Sequence, residues 1–382
     1  MDFSGADPGL GDEQHAFIRH HWSARGRGDA ARAAWFDALV ARGWSVPRWP
    51  VAHGGAGWDA AAQCRWAMET ARAGAPEMDP VGTALVGPLL IAAGSRAQQA
   101  QLLPEIREAR VRWCVALFPG LDPGLASGLA ADPGASEATS RAGGAFDLCL
   151  SGTLEAVPGA AVAQRLLCAV GSDRLCLIDL TRPGVDRRTL TGLDGATDSA
   201  TLTLDALAID ADRWLEIGAD EALDRVAAIP GAWPLQAFRQ RARLDALRAA
   251  AAQFVDADTT LLESPEFTVR LGQIEIDLLG LEALERRALA GQARGAWTPA
   301  RAALVRVRQV ELERALGVLT RDVLGYYSLP FPDSRLIDNE GPIGHDGALA
   351  LVAQALARPG TPLDDVTGDY HHNTIARSLL GP

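Results

Sequence analysis

Apolar residues recur at helical spacing through the first third of the chain. Trp35, Phe36, Leu39 and Val40 share one face, and Cys64, Trp66, Met68 and Ala71 sit in an alanine-rich stretch. Gly54, Gly55 and Gly57 punctuate the connection between these segments, and Pro104 is expected to close one helix or open another. From Trp113 to about Trp214 the texture changes. Short apolar or alternating runs (146–150, 165–170, 174–180 and 200–209) are separated by Gly, Pro, Asp and Ser, which predicts antiparallel strands joined by short turns. From Ile217 onward the helical period returns over 244–254, 267–289 and 302–326. The polar faces of these segments carry Glu and Arg at pairing distance, as solvated faces do. The expected fold class is α+β with segregated zones: a helical domain over 1–112, a β-domain over 113–215 and a helical region over 216–382.

Composition narrows the function. The chain has 382 residues, 48% of them hydrophobic and 22% charged, so it is long enough for two or three domains and is not a disordered sequence. A net charge of -12 disfavours nucleic acid as a partner. No apolar run approaches the roughly 20 residues of a membrane span, and no signal peptide is visible, so the expected compartment is the cytoplasm. Cys64, Cys114, Cys149, Cys168 and Cys176 are scattered without metal-ligand spacing and are expected to be buried thiols, with no metal site. Adjacent histidines, His20-His21 and His371-His372, diverge by about 100° on a helix and do not make ligand pairs. Lysine is absent, which excludes Schiff-base chemistry by this chain.

Three motifs follow one another at tight spacing: GWSVPRWPVAHGGAGW (43–58), ALVGPLL (84–90) and GSRAQQAQLLPEI (94–106). With the helical, β, helical order, Thr181-Arg182-Pro183-Gly184-Val185, Ile217-Gly218 and the C-terminal IARSLLGP (375–382), they resemble the acyl-CoA dehydrogenase family of flavoproteins over nearly the whole chain. The tryptophan pattern is most similar to bacterial members that handle bulky acyl-CoA thioesters, including steroid side chains, some of them as heteromers. The resemblance implies an N-terminal helical domain, a middle antiparallel β-domain, a C-terminal four-helix bundle and FAD as cofactor. Trp44, Trp49 and Trp58 are expected to pack between helices.

The family's reaction needs a carboxylate to remove the α-proton, a flavin to accept hydride from the β-carbon, and hydrogen bonds that polarise the thioester. In the segment that resembles the flavin loop, the hydroxyl position is Leu117 and the acidic one Phe118, followed by Pro119-Gly120-Leu121-Asp122-Pro123-Gly124; Gly120 stands at a family loop glycine, and Gly124 at the loop's last position, where the family has aspartate. In the strand Ser151–Pro158, the position of the flavin-packing tryptophan is Ala156 and that of the bonding threonine is Pro158. One branch's glutamate base falls on Trp233; the other's falls on Asp365, shorter by one methylene. A segment that reaches the neighbouring subunit's cofactor has no counterpart in 254–265. The expectation is a degenerate subunit of an acyl-CoA dehydrogenase, partnered by an intact homologous subunit that carries FAD and base. An active dehydrogenase using Asp365, and a flavin-free binding or assembly protein on the same fold, are the alternatives.

Overall fold

The computed structural model describes residues 8–22, 28–117, 130–132, 146–171, 173–228, 235–253, 255–256, 259–292, 297–325, 351, 355–356 and 368–381. The first zone is helical: α1 (Pro8–His21), α2 (Asp29–Arg42), α3 (Ala60–Ala73), a π-helical turn (Gly82–Val86) running into α4 (Gly87–Ala93), and α5 (Arg96–Arg107). Its ends are set by local chemistry. Asp59 accepts from the Ala62 N–H to start α3, and Ser95 and Gln98 cap α5 reciprocally. Gly43 and Gly74 close α2 and α3 in the left-handed conformation, at φ 74° and 65°. Pro104 neither ends nor opens a helix. It lies inside α5, which runs on to Arg107, and burial of Leu102, Leu103 and Ile106 offsets the hydrogen bond that the ring removes.

Trp49 shows why the first two motifs belong together. Its indole is buried and donates from Nε1 to the Thr83 carbonyl at 2.7 Å. A Cβ on Gly55 would overlap the Trp49 carbonyl oxygen, and one on Gly87 would stand 2.6 Å from Cη2 and 2.9 Å from Cε2 of the ring. Both glycines are therefore required by contact with one residue, Gly55 with its backbone and Gly87 with its ring. Trp44, Trp58 and Trp66 pack into a second aromatic cluster, with ring centroids 5.1 to 5.4 Å apart.

The middle zone holds two four-stranded sheets, β1-β4-β5-β8 and β2-β3-β7-β6. The strands are β1 (Trp113–Ala116), β2 (Ala130–Asp132), β3 (Phe146–Val157), β4 (Arg165–Val170), β5 (Arg174–Asp179), β6 (Val185–Leu190), β7 (Ser199–Asp210) and β8 (Trp214–Leu215). These pairings are antiparallel except β1 with β4, which is parallel. The first sheet is buried on both faces. Trp113, Val115, Leu167, Leu175, Leu177 and Leu215 face the helical zone, and their neighbours Cys114, Leu166, Cys168, Cys176, Ile178 and Trp214 face the second sheet.

Two side chains tie helices to sheet. Gln98 donates from Nε2 to the carbonyls of Asp212 (2.8 Å) and Trp214 (3.0 Å). Asp79 accepts from the N–H groups of Val81, Gly82 and Trp113, the last at 3.0 Å. Burial nevertheless raises the Asp79 carboxyl to about 6.

The last zone contains α6 (Ala219–Ala228), α7 (Ala237–Ala251), a two-stranded ribbon of β9 (Val255–Asp256) and β10 (Thr259–Thr260), α8 (Pro265–Gln292), α9 (Pro299–Leu324) and α10 (Gly368–Leu380). Phe254 and Tyr326, the expected ends of two helices, lie outside the described residues. Helices α7, α8 and α9 share a core that includes Leu244, Leu247, Leu271, Leu278, Leu312 and Leu319, and α10 packs along α9.

Candidate functional site

Leu117 directly follows β1 and continues its alternation. Its side chain is buried with Trp113 and Val115 on the helical side of the first sheet. Strand β3 packs against the opposite side, through Leu150, Leu154 and Val157. The sheet therefore separates the Leu117 side chain from the end of β3, where Ala156 and Pro158 lie. Ala156 is exposed and stands at φ 50°, at an irregularity in the β3–β7 register between Leu154 and Val157. The segment after Pro158 is held in place, since Arg187 forks onto the carbonyls of Ala161 (2.9 Å) and Ala163 (2.8 Å). Gly120, Gly124, Trp233 and Asp365 lie outside the described residues.

A buried polar cluster between helices was not anticipated. Glu285 of α8 is 2% exposed and accepts from the backbone N–H groups of Gln236 (2.9 Å) and Ala237 (3.1 Å) at the start of α7. It also accepts from Gln309 Nε2 of α9 at 2.6 Å, and Arg306 Nη1 donates to Gln309 Oε1 at 2.7 Å. A carboxylate here completes the open N-terminus of α7. Burial outweighs those donors and raises the Glu285 carboxyl to about 7; burial likewise lowers the Arg306 guanidinium to about 10. His371 of α10 is pulled down to about 4, first by burial and then by the charges of Arg306 and His372. The signal for this cluster was present in the sequence. Glu285 falls four residues after Leu281 and seven after Leu278, on the core-facing stripe of α8.

A cavity of about 100 Å³ opens between the first zone and α7. It is lined by Trp35, Trp44, Trp58 and Trp66, with Arg48, Glu77 and Arg239 among its polar groups. Arg239 is committed, donating from Nε to Glu77 at 2.8 Å and from Nη1 to the Ala75 carbonyl at 3.2 Å. The volume is below the 300 to 1,000 Å³ or so of ligand pockets. Among the described residues there is no group of three or more His, Cys, Asp or Glu that would hold a metal, and the five cysteines are buried.

Residues 12–110 match the acyl-CoA dehydrogenase N-terminal domain. The acyl-CoA dehydrogenase IpdE1 of Mycobacterium tuberculosis is 42% identical over 84 residues, a segment that spans 22% of this chain and 22% of that protein. The fold is similar along its whole length to that of the ChsE4-ChsE5 complex from Mycobacterium tuberculosis, with TM-score 0.72, 18% identity and coverage of 100% of this chain and 99% of that one. It is also similar to the Tcur3481-Tcur3483 steroid ACAD, with TM-score 0.69, 16% identity and coverage of 100% and 99%. Residues 12–110 are thus similar to an acyl-CoA dehydrogenase N-terminal domain, and the whole chain shares the fold of these solved structures.

The family resemblance implies that the positions of Leu117, Ala156 and Pro158 would meet a flavin. The residues present do not fit that group. Leu117 turns its side chain into the helical core, Ala156 has no ring to stack, and Pro158 has neither hydroxyl nor N–H to donate. No step of a reaction is therefore routed through these positions.

Proposed function

We propose that this chain is the non-catalytic subunit of a heteromeric acyl-CoA dehydrogenase, acting in the cytoplasm beside a homologous subunit that carries the FAD contacts and the base. The complex would remove hydrogen across the α,β-bond of a bulky acyl-CoA thioester such as a steroid side chain. The observation that carries this reading is Leu117. At the place of a hydrogen-bonding hydroxyl stands a buried leucine that fills the core beside Trp113 and Val115. Ala156 and Pro158 support it, because neither side chain offers a polar or aromatic group. Similarity to proteins described as a two-member complex and as a steroid enzyme supports the partner and the substrate class.

The test is co-purification with a homologous subunit and measurement of flavin per chain. One flavin per pair of unlike subunits is expected, with dehydrogenation of ring-bearing acyl-CoA only in the mixed complex. A homomer of this chain that is yellow and turns over acyl-CoA unaided would sink the proposal.

A further inference from the structure

We propose that Glu285, Gln309, Arg306 and His371 form a two-state hydrogen-bond relay: reversal of the Gln309 side-chain amide passes Arg306 from Gln309 to His371, and so couples the start of α7 to the docking of α10. The relay crosses α8, α9 and α10 and is shut off from water, its four members being 2%, 3%, 2% and 6% exposed in that order. With Glu285 ionised, Gln309 Nε2 donates to Glu285 Oε1 at 2.6 Å, and Arg306 Nη1 donates to Gln309 Oε1 at 2.7 Å. The series of bonds then stops one step short of α10. Nδ1 of His371 is buried and has no hydrogen-bond partner among the described residues. Arg306 stands close enough for its charge to act on that ring.

The second state follows from protonation of Glu285. The groups bonded to this carboxyl are donors: the N–H groups of Gln236 and Ala237, and Nε2 of Gln309. A protonated carboxyl needs an acceptor. Gln309 supplies it, because the amide oxygen and nitrogen share one flat group and a half-turn exchanges them. Glu285 Oε1–H then donates to Gln309 Oε1, while Oε2 keeps the Ala237 N–H at 3.1 Å. The same half-turn presents the amide NH2 to Arg306, and two donors cannot bond. Arg306 Nη1 therefore turns to Nδ1 of His371, an acceptor in the neutral Nε2–H tautomer, and ties α9 to α10. A buried acceptor without a donor is costly, so the second state repairs at His371 what the first leaves open.

The surrounding groups set the range in which the relay works. Arg48 and Cys64, from the first zone, face Glu285. Glu313 faces Arg306 and is itself bonded to Arg243 of α7 at 2.9 Å. On α10, His372 faces His371, and Tyr370 Oη meets Asp224 of α6 at 3.4 Å. Burial holds the Glu285 carboxyl at about 7 and the His371 imidazole at about 4. Between those values Glu285 carries a proton while His371 is still an acceptor, so the tie to α10 is made at about pH 5 to 6.5. Above 7 Glu285 ionises, the Gln309 amide turns back and the tie is lost. The coupling lies inside the helical bundle and does not depend on whether the chain binds flavin.

Hydrogen exchange of α10 in the full chain tests the relay, followed by mass spectrometry across the neutral range and corrected for the intrinsic pH dependence of exchange. Protection of α10 relative to α5 is expected to fall about tenfold as pH rises through 7, the effect of one hydrogen bond from a charged group. Glu285→Gln, which places an amide donor against Gln309 at every pH, should keep α10 protected throughout. Gln309→Met removes the reversible amide and His371→Leu removes the acceptor; each should abolish the step and leave α10 at its low level. A step that survives Gln309→Met would show that the charge on Glu285 acts through space, and would overturn the relay. A step that persists in Glu285→Gln, or a wild type whose α10 protection is level across the range, would overturn it as well. Glu285→Gln and His371→Leu decide the matter by themselves should Gln309→Met fail to fold.

Discussion

Substituting Gly87 by alanine should cripple the first zone, and the structure says by how much. The new methyl would stand 2.6 Å from Cη2 and 2.9 Å from Cε2 of Trp49, against the 3.5 to 4.0 Å or so of ordinary carbon contact. The indole has nowhere to go. Its Nε1 is bonded to the Thr83 carbonyl at 2.7 Å, the Trp49 backbone carbonyl is pressed on Gly55, and the ring packs in one core with Val46, Leu85 and Leu89. Overpacking of a rigid site costs up to about 3 kcal/mol, and displacing the ring sacrifices a hydrogen bond of about 1 kcal/mol. We expect Gly87→Ala to lose about 4 kcal/mol, read as a drop in the tryptophan-fluorescence melting transition. Trp49→Ala by itself should cost about 3 to 5 kcal/mol as a cavity. The double variant should be little worse than Trp49→Ala, a coupling of about 3 kcal/mol, because the methyl then has room. Additive losses would refute the claim that Gly87 is required by the Trp49 ring.

Three further outcomes follow from the same geometry. Gln98→Leu removes both donors to the Asp212 and Trp214 carbonyls, the second in a buried setting, and should cost about 1 to 3 kcal/mol in thermal or urea unfolding. For Glu285 the folded pKa is raised from 4.5 to about 7, so the folded state holds the proton more tightly. That stability is fully present below about pH 4.5 and is lost as pH rises through 7, about 3 kcal/mol in all at 1.36 kcal/mol per pH unit. Glu285→Gln should flatten the decline between pH 5 and 8 in a melting series. His371 has the opposite sign: lowered from 6.5 to about 4, it contributes stability above pH 6.5 that is lost as pH falls toward 4, and His371→Asn should remove that acid-side slope.

The succession of helices, sheets and helices was legible because each zone has its own hydrophobic period, three to four residues in α8 and two in β7. What the period could not show was topology. The zone that begins at Trp113 reads as antiparallel throughout, yet β1 lies parallel to β4, since pairing direction depends on where the chain returns and not on which residues alternate. Pro104 misled for a related reason. Local propensity argues for a break, but the buried neighbours Leu103 and Ile106 hold one more turn in place. Glu285, Arg306 and Gln309 were hidden in plain view on apolar stripes, where a polar residue is easily taken for noise in the pattern. Which donors they meet is decided by three helices at once, and no single segment carries that information.

The two kinds of motif in this chain obey different physics, and that difference explains how one can persist where the other fails. Trp49, Gly55, Gly87 and Gln98 are bound by contacts inside the chain, so altering any of them costs folding free energy directly. Ala156 is exposed at a strand irregularity. A tryptophan there would serve a ligand, and its absence takes nothing from the core formed by Leu154 and Val157 on the buried side of the same strand. Leu117 goes further. A hydroxyl at a site buried beside Trp113 and Val115 would need a partner, and a leucine instead adds apolar burial of about 2 kcal/mol. Reverting Leu117 to threonine should therefore lower the melting temperature without restoring flavin binding. Recovery of a bound flavin by Leu117→Thr with Ala156→Trp, with no loss of stability, would show instead that the scaffold had kept the cofactor's place open.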